Sequence, residues 1–368
     1  MHCGKRLRSY LRSIRVNKES KENIMKLMKT EEAVGQVLCH DITQIIPGVT
    51  KDAVFRKGHI ITKEDIPVLL SVGKEHIYIW EKDEHMLHEN EAAQILYEMC
   101  RSEHMHPSAV KEGKIELIAD CDGLFKVDRE KLRKVNSLGE MMIATRHGNT
   151  FVKKGDKLAG TRIIPLVIEK EKMERAKEIC NDGSILEIKP LQPKKAAILT
   201  TGSEVYHGRI QDKFMPVLVE KLKEYGSEVI FHEIYDDDHE AITKGCLSAI
   251  EQGAELVLCT GGMSVDPDDK TPLAIKNTGA RIVSYGAPVL PGAMFLVSYY
   301  EYKDKTIPIV GLPGCVMYAK RTIFDLALPR LLADDFITAE ELALLGEGGL
   351  CLNCPVCTYP NCGFGKGW

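Results

Sequence analysis

Short apolar runs alternate with amphipathic stretches over residues 190–335 of this 368-residue chain. Runs such as Lys195–Leu199 and Leu256–Thr260 are short, aliphatic and soon followed by glycine, which indicates buried parallel strands. Between them, apolar residues recur at helical spacing, as over Asp212–Tyr225. Strands alternating with helices predict a three-layer α/β domain with a mostly parallel sheet. Further strands are predicted at Glu228–Tyr235, Arg281–Ser284, Met294–Tyr300 and Thr306–Val310, and further helices after Asp238, from Thr271 and over Val316–Leu332.

The first half of the chain has a different pattern, in which short β-like runs mix with polar helices. His76–Trp80 has the character of a strand, and Asn90–Met99 places its apolar residues on one helical face. Phe151–Thr161 carries a Gly-Asp pair between two strand-like runs and predicts a hairpin. We interpret residues 28–190 as a β-rich N-terminal module with an inserted helical piece.

The chain is too long for one ordinary core, so several domains are expected. The predicted divisions are a basic, disordered tail over residues 1–27, the β-rich module over 28–190, an α/β domain over 191–335 and a cysteine-rich tail over 336–368.

Charge and composition narrow the classes of partner. The net charge is −4, with 49 Lys and Arg against 53 Asp and Glu, which argues against wholesale binding of nucleic acid. No apolar run approaches the roughly 18 residues that span a bilayer, so no membrane association is expected. The basic N-terminus lacks the apolar stretch of a secretory signal, and most of the twelve cysteines are scattered. These features predict a reduced, cytoplasmic protein.

The segment from Thr260 to Pro272 contains, in this order, two glycines, three acids and the start of a predicted helix. Glycines at the end of a strand let backbone N–H groups approach an anion closely. The acids that follow could hold a divalent cation beside that anion. The order predicts a site for a phosphorylated ligand and a metal at the strand ends, where open α/β sheets bind ligands.

Three motifs occur in sequence order: Thr201–Glu204, Thr260–Thr271 and Gly311–Gly314. Together they resemble the molybdopterin-binding domain of molybdenum cofactor biosynthesis proteins, over about residues 195–330. Within that family, G-G-x-S-V and G-L-P-G look more like the molybdopterin molybdotransferases (MoeA/gephyrin type) than the adenylyltransferases.

The resemblance implies binding of adenylylated molybdopterin, Mg²⁺-dependent cleavage of its AMP, and insertion of molybdate. It implies that Glu204 and Asp269 are the catalytic acids and act with Mg²⁺. A homodimer and a client molybdoenzyme are the partners that it suggests. The substrate-binding positions that it implies are Thr201, Gly202, Ser203, Gly261, Gly262, Ser264, Pro291, Gly292, Gly311, Pro313 and Gly314.

Two departures from the family pattern bear on catalysis. The motif S-A-M-D-G-Y-A has no counterpart between residues 40 and 60. Where the transferases carry K-P-G-K-P, this chain has Leu290 and Ala293 in place of the two lysines. Removing two cations from an anion site weakens its hold on molybdate or phosphate. The alternative function is therefore a non-catalytic carrier or sensor of molybdopterin.

The last eighteen residues hold four cysteines in C-x2-C-x2-C-x4-C spacing. Four thiolates this close predict one Zn²⁺ or one iron–sulfur cluster, and the spacing leaves the choice of metal open. The competing interpretation is that the four cysteines bind no metal and lie in a flexible tail. The residues concerned are Cys351, Cys354, Cys357 and Cys362.

Overall fold

The computed structural model describes residues 25–46, 50–80, 85–264 and 266–367. Residues 1–24, which make up most of the predicted basic tail, lie outside the described residues, as do Val265 of the acidic loop and Trp368. In the described part of the chain, no helix is both long and apolar enough to cross a membrane.

The first unit is a small assembly of two β-ladders and a helix. Strand β1 (Met25–Lys29) pairs antiparallel with β4 (His76–Trp80), and β2 (Ile42–Ile46) pairs antiparallel with β3 (Thr50–Phe55). Helix α1 covers Ile66–Ser71. Apolar side chains from these elements and the loops between them form one small core, which includes Leu38, Ile42, Ile61, Leu69 and Ile77.

The second unit builds three small sheets around one larger core. Its strands are β5 (Met86–His88), β6 (Met105–Pro107), β7 (Lys114–Ala119), β8 (Gly123–Val127), β9 (Met141–Thr145), β10 (Thr150–Val152), β11 (Lys157–Ile163), β12 (Val167–Glu169) and β13 (Leu186–Pro190). Its helices are α2 (Glu89–Cys100), α3 (Arg129–Asn136) and α4 (Lys170–Ile179). The sheet orders are β6-β7-β11-β9, β10-β8-β13 and β12-β5.

The hairpin predicted over Phe151–Thr161 is wrong. The turn exists, since the Asp156 N–H donates to the Lys153 carbonyl at 3.0 Å. Its two arms then separate, because β10 pairs with β8 while β11 pairs with β7 and β9. A tight turn brings two arms close, but each arm pairs with the strand against which its apolar face is buried.

The third unit is the predicted α/β domain. Its strands are β14 (Lys195–Thr201), β15 (Glu228–Tyr235), β16 (Leu256–Thr260), β17 (Arg281–Tyr285), β18 (Leu296–Tyr302) and β19 (Lys305–Leu312). Its helices are α5 (Ser203–Tyr206), α6 (Phe214–Lys223), α7 (His239–Glu251), α8 (Thr271–Asn277), α9 (Ile323–Leu332) and α10 (Ala339–Leu344). The strand order is β15-β14-β16-β19-β18-β17.

The prediction of an α/β fold is confirmed, and the sheet is mixed. Strands β15, β14, β16 and β19 are parallel, while β18 and β17 join antiparallel. A two-residue connection, Lys303-Asp304, links β18 to β19, and such short turns join only antiparallel neighbours. The sequence pattern did not distinguish these two strands from the parallel ones.

Apolar side chains are buried on both faces of this sheet. Ala196 and Ile198 pack into one cluster with α6 and α9, and Ala197 and Leu199 pack into another with α7 and α8. Successive residues of a strand point to opposite faces, so a strand covered on both sides is apolar throughout. This explains the continuous aliphatic runs in the sequence.

The helix predicted over Val316–Leu332 is divided in two. A 3₁₀ turn covers Gly314–Met317, and the α-helix begins only at Ile323. Thr322 caps that helix, because its hydroxyl accepts a hydrogen bond from the Phe324 N–H while the Asp325 carboxylate accepts one from the Thr322 N–H. This reciprocal capping fixes the start of the helix.

The C-terminal residues pack against the α/β unit. Ile337, Leu342 and Phe364 are buried in the same apolar cluster as α6 and α9. The segment therefore contributes to the core of the third unit.

Candidate functional site at the carboxyl edge of the sheet

Most of the predicted ligand-binding positions lie at one edge of the six-stranded sheet. The parallel strands β14, β16 and β19 end there, so Gly202, Gly261 and Pro313 emerge side by side. Strand β17 also ends at this edge, and the connection that follows it carries Pro291 and Gly292. The topology therefore brings the three motifs together.

The two glycines after β16 lie directly against β14. Gly261 has φ +83°, and a Cβ there would collide with the carbonyl oxygen of Thr201. Gly262 has φ +53°, and a Cβ there would lie 2.9 Å from the Thr271 hydroxyl oxygen and 3.1 Å from that of Thr201. Glycine is thus required at both positions by backbone conformation and by the lack of space.

Hydrogen bonds hold this loop in place. The hydroxyl oxygens of Thr201 and Thr271 are 3.0 Å apart, and the Thr271 N–H donates to the Gly262 carbonyl at 3.2 Å. The Tyr285 hydroxyl donates to the Met263 carbonyl at 2.8 Å and to the Ser264 carbonyl at 3.3 Å. Tyr285 is a positioning residue that the sequence did not reveal, because β17 carries no motif.

Gly311 lies inside β19, and its lack of a side chain leaves room for a neighbouring residue to pack. A Cβ at Gly311 would meet the Sδ and Cε atoms of Met263, whose side chain is buried over it. Gly311 therefore helps to position the loop, because the Met263 side chain of that loop packs against it.

An acidic group adjoins the loop, and its centre is Asp237. The Asp237 carboxylate accepts a hydrogen bond from the Ser203 N–H at 2.9 Å. Partial burial raises the pKa of Asp237, and the negative charges of Asp236, Glu204 and Asp268 raise it further, although the Ser203 hydrogen bond opposes them. The ends of three strands therefore bring carboxylates within electrostatic range of Asp237.

The sequence analysis did not single out Asp237. The available signal was the run Asp236-Asp237-Asp238, which follows β15 directly at the same edge of the sheet. Asp238 caps helix α7 by accepting hydrogen bonds from the Glu240 and Ala241 N–H groups. Asp238 thus has a structural role, whereas Asp237 lies within electrostatic range of Glu204 and Asp268.

Asp269 plays a different part from Glu204 in this structure. Its carboxylate accepts a hydrogen bond from the Asp266 N–H at 3.3 Å, and its own N–H donates to the Asp266 carbonyl at 3.0 Å. Partial burial raises the pKa of Tyr285, and the charge of Asp269 raises it further, which places that carboxylate near Tyr285. Asp268 is the loop acid whose charge acts on Asp237.

Within the described ranges, no group of three or more His, Cys, Asp or Glu side chains is arranged to hold a metal ion. The four tail cysteines are therefore not assembled as a metal site there, and the Glu204 and Asp269 pair stays a prediction. Asp237, Glu204 and Asp268 offer the carboxylate oxygens that Mg²⁺ prefers, and a divalent cation would relieve the repulsion that the other two acids exert on Asp237.

A second polar cluster lies beside β14. Thr200 donates a hydrogen bond to the Asp212 carboxylate at 2.7 Å, and His232 Nε2 lies 3.2 Å from the same oxygen. Asp212 also accepts from the Phe214 N–H and so caps helix α6. On the neighbouring strand, the fully buried Thr260 hydroxyl has no hydrogen-bond partner in the described part of the chain.

The turn at Pro291 is held by the C-terminal segment. The Leu290 N–H donates to the Gly349 carbonyl, and the Cys351 N–H donates to the Leu290 carbonyl, both at 2.8 Å. On its other side, the Pro291 carbonyl accepts from the Ile323 N–H at 3.1 Å. The position that carries lysine in the transferases is therefore a backbone partner of this chain's own tail.

The tail cysteines share a cavity of about 420 Å³ with Pro291, Arg321 and Tyr359. Two of the thiols are half-buried and two are exposed. Within the described ranges the thiols do not form a group that could hold a metal, and the zinc or iron–sulfur site stays a prediction. The half-buried pair is Cys351 and Cys362, and the exposed pair is Cys354 and Cys357.

Comparison with known proteins matches two segments of the chain. A family described as a probable molybdopterin binding domain matches residues 197–333, and one described as a domain of unknown function matches residues 27–81. A molybdopterin adenylyltransferase of Pyrococcus furiosus is 27% identical over 135 residues, which cover 37% of this chain and 76% of that protein. A putative competence-damage inducible protein of Bacillus subtilis is 32% identical over 89 residues, 24% of this chain and 21% of that protein.

Among solved structures, the tungsten cofactor synthesizing protein MoaB from Pyrococcus furiosus is 21% identical to this chain, with a TM-score of 0.30. The match covers 34% of this chain and 84% of that one. The chain thus spans most of the small cofactor-synthesis proteins that it matches, but only about a fifth of the competence-related protein.

Proposed function

Since residues 197–333 belong to the family of probable molybdopterin binding domains, we propose that the carboxyl edge of this sheet binds molybdopterin in molybdenum cofactor biosynthesis. The observation that carries the proposal is the loop after β16, where Gly261 and Gly262 fold against Thr201 and Thr271. The N–H groups of Gly262 and Met263 donate to no backbone carbonyl in the described part of the chain. They are thus available to the phosphate of a pterin ligand.

The finer proposal is an enzyme that inserts molybdate into adenylylated molybdopterin with Mg²⁺. Asp237, Glu204 and Asp268 are the carboxylates whose placement supports a cation beside the glycine loop, while the Asp269 carboxylate is hydrogen-bonded to the Asp266 N–H. When bound, Mg²⁺ neutralises negative charge on phosphate oxygens and so favours cleavage of the AMP. Ser203 and Tyr285 hold the acids and the loop in position.

A second candidate is a protein that binds molybdopterin without inserting the metal. Leu290 and Ala293 stand where the transferases have lysines, and the Leu290 backbone is bonded to Gly349 and Cys351 of the tail. An oxyanion at this turn would have neither lysine to pair with. It would also find the Leu290 N–H already donated to the Gly349 carbonyl. The alternative of a carrier or sensor rests on this observation.

Titration of the purified protein with molybdopterin, free and adenylylated, tests the shared part of the proposal. Binding of either form supports the assignment, and binding of neither rejects both candidates. Addition of Mg²⁺ and molybdate to the adenylylated complex then separates them. AMP release with molybdenum insertion identifies the enzyme, whereas tight binding with neither product identifies the carrier.

The Asp237→Asn variant tests the acidic group. Asparagine keeps an oxygen to accept from the Ser203 N–H but removes the charge. We expect the Mg²⁺ concentration for half-maximal AMP release to rise roughly tenfold or more, as when a metal site loses a supporting carboxylate. Isothermal titration with Mg²⁺ in the presence of molybdopterin gives an independent measurement of the same loss.

Asp304→Asn is the matched control for this variant. Asp304 is exposed in the β18–β19 turn, at the opposite edge of the same sheet, and its removal changes the net charge equally. If the two variants respond alike to Mg²⁺, Asp237 does not belong to a metal site.

A further inference from the structure

A basic groove lies between the second unit and the end of the chain, away from the carboxyl edge of the sheet. Two adjoining cavities, of about 300 and 850 Å³, share Arg129, Gly148 and Lys366 among their lining residues. Arg129 is the first residue of α3, and His147 and Gly148 precede β10. The groove is thus built from residues more than 200 positions apart in the sequence.

Cationic side chains dominate the larger cavity. Its lining includes Arg129, Arg133, Arg146, His147 and Lys366, against a single acid, Glu130. Two of the cations already have carboxylate partners, since Arg133 pairs with Glu130 at 2.8 Å and Arg146 pairs with Asp156 at 2.7 Å.

Arg129 and Lys366 are the two cations of this lining that have no carboxylate partner in the described part of the chain. Neither forms an ion pair with any residue in the described ranges. The nearest acid in sequence, Asp128, is engaged with Lys131, whose N–H donates to it at 2.9 Å. The groove therefore holds an excess of positive charge that the protein does not itself neutralise.

The cations that line the groove are close enough to act on one another electrostatically. Burial lowers the pKa of His147, and the charges of Lys366 and Arg129 lower it further. Burial also lowers the pKa of Lys366, to about 8, and the charge of Arg146 acts in the same direction against the Cys362 thiol. Like charges brought together at a concave surface are costly unless an anion lies between them.

The shape of the groove restricts the class of anion. A cavity of this size suits a small molecule, and the net charge of −4 disfavours a long polyanion across the surrounding surface. A guanidinium and an ammonium group together are the pair that phosphate oxygens meet in many sites.

We propose that this groove, between Arg129, His147 and Lys366, is a binding site for a small phosphate-bearing molecule, separate from the molybdopterin edge. Arg129 supplies a planar pair of donors from the second unit, and Lys366 supplies a compact charge from the C-terminal segment.

Inorganic pyrophosphate is the probe for this site, titrated into the full-length protein by calorimetry at pH 7 and low salt. We expect one binding event that weakens roughly tenfold in Arg129→Gln and again in Lys366→Gln, because each removes one charge-assisted contact. It weakens further as salt is added. Arg129 is exposed, so its variant keeps the fold, which circular dichroism verifies.

Arg56→Gln is the matched control, since Arg56 is an exposed cation of the first unit and its loss changes the net charge equally. Asp237→Asn should leave this event intact, which separates the groove from the carboxyl edge. Equal affinity in wild type and Arg129→Gln, or no binding to wild type, overturns the proposal. Binding of a single-stranded oligonucleotide but not of pyrophosphate overturns the assignment to a small molecule.

Discussion

Single residues at the carboxyl edge are constrained by space as much as by chemistry. Gly262 is one such case, because a Cβ there would crowd the hydroxyl oxygens of Thr271 and Thr201, at 2.9 and 3.1 Å. The same loop is fixed by Tyr285, whose hydroxyl reaches two of its carbonyls. A rigid loop presents its N–H groups to a ligand at a lower entropic cost than a mobile one.

A Gly262→Ala change tests this constraint. We expect it to lower the free energy of unfolding by about 2–3 kcal/mol, from backbone strain at positive φ together with steric crowding. Urea denaturation measures the loss. Gly279→Ala is the control, since Gly279 has φ +85° but no atom of the described residues lies within 4 Å of the place where a Cβ would be, and it should cost only about 1 kcal/mol. Equal losses would mean that crowding at Gly262 is relieved without cost.

At the scale of elements, the C-terminal segment is the part whose role changes most once its packing is known. Its Phe364 is 4% exposed in the core of the α/β unit, and the Tyr359 hydroxyl donates to the Asp325 carbonyl at 2.9 Å. The Arg321 guanidinium lies 4.9 Å from the centre of the Tyr359 ring. The cysteines are thus carried on a segment that apolar packing and side-chain contacts anchor to the α/β unit.

Replacement of Phe364 by alanine tests this anchoring. We expect a loss of about 3 kcal/mol in the free energy of unfolding, because a buried ring is removed and a cavity remains. Leu352→Ala in the same segment, where the side chain is 78% exposed, should change stability by less than about 0.5 kcal/mol. Thermal or urea unfolding of the two variants gives the comparison. Similar stabilities would show that the segment is not part of the core in solution.

At the scale of the whole molecule, one buried carboxylate links the second and third units. Asp335 bonds to Lys126 of β8 at 2.8 Å, to Lys189 of β13 at 2.7 Å and to Arg330 of α9 at 2.7 Å. Burial opposes the ionisation of Asp335, but the Lys126 and Lys189 hydrogen bonds and the Arg330 charge outweigh it and lower its pKa to about 2. The ion cluster therefore depends on Asp335 remaining charged.

This shift has a defined pH dependence. An aspartate titrates near pH 3.9 in an unfolded chain, so a native pKa of about 2 means that the unfolded state binds more protons between these values. The stabilisation from Asp335 is fully present above about pH 4 and is lost as the pH falls to about 2. Asp335→Asn should lower stability at pH 7, and its difference from wild type should shrink across that window.

Urea midpoints measured from pH 7 to pH 2 check this expectation. Asp334→Asn is the control, because that neighbouring carboxylate pairs with Lys194 but is 60% exposed. A wild-type and Asp335→Asn difference that stays constant from pH 4 to pH 2 would contradict the assigned native pKa.

The sequence by itself determined the features that depend on near neighbours. The aliphatic runs at Lys195–Leu199 and Leu256–Thr260 indicated buried strands, and the Gly261-Gly262 pair with the Thr271-Pro272 helix start predicted a ligand loop. The family resemblance over about residues 195–330 agrees with the family match at residues 197–333. Periodicity, glycine conformation and helix capping act within a few residues, so they can be read from the chain directly.

Only the tertiary structure decided which distant residues meet. Asp237 joins Glu204 and Asp268 because three separate strands end at one edge, and Leu290 pairs with the tail across some sixty residues. Arg129 and Lys366 line the same cavities for the same reason, and the arms of the predicted hairpin at Phe151–Thr161 enter different sheets. Such contacts follow from how whole elements pack to bury their apolar faces, and no local pattern of residues encodes that choice.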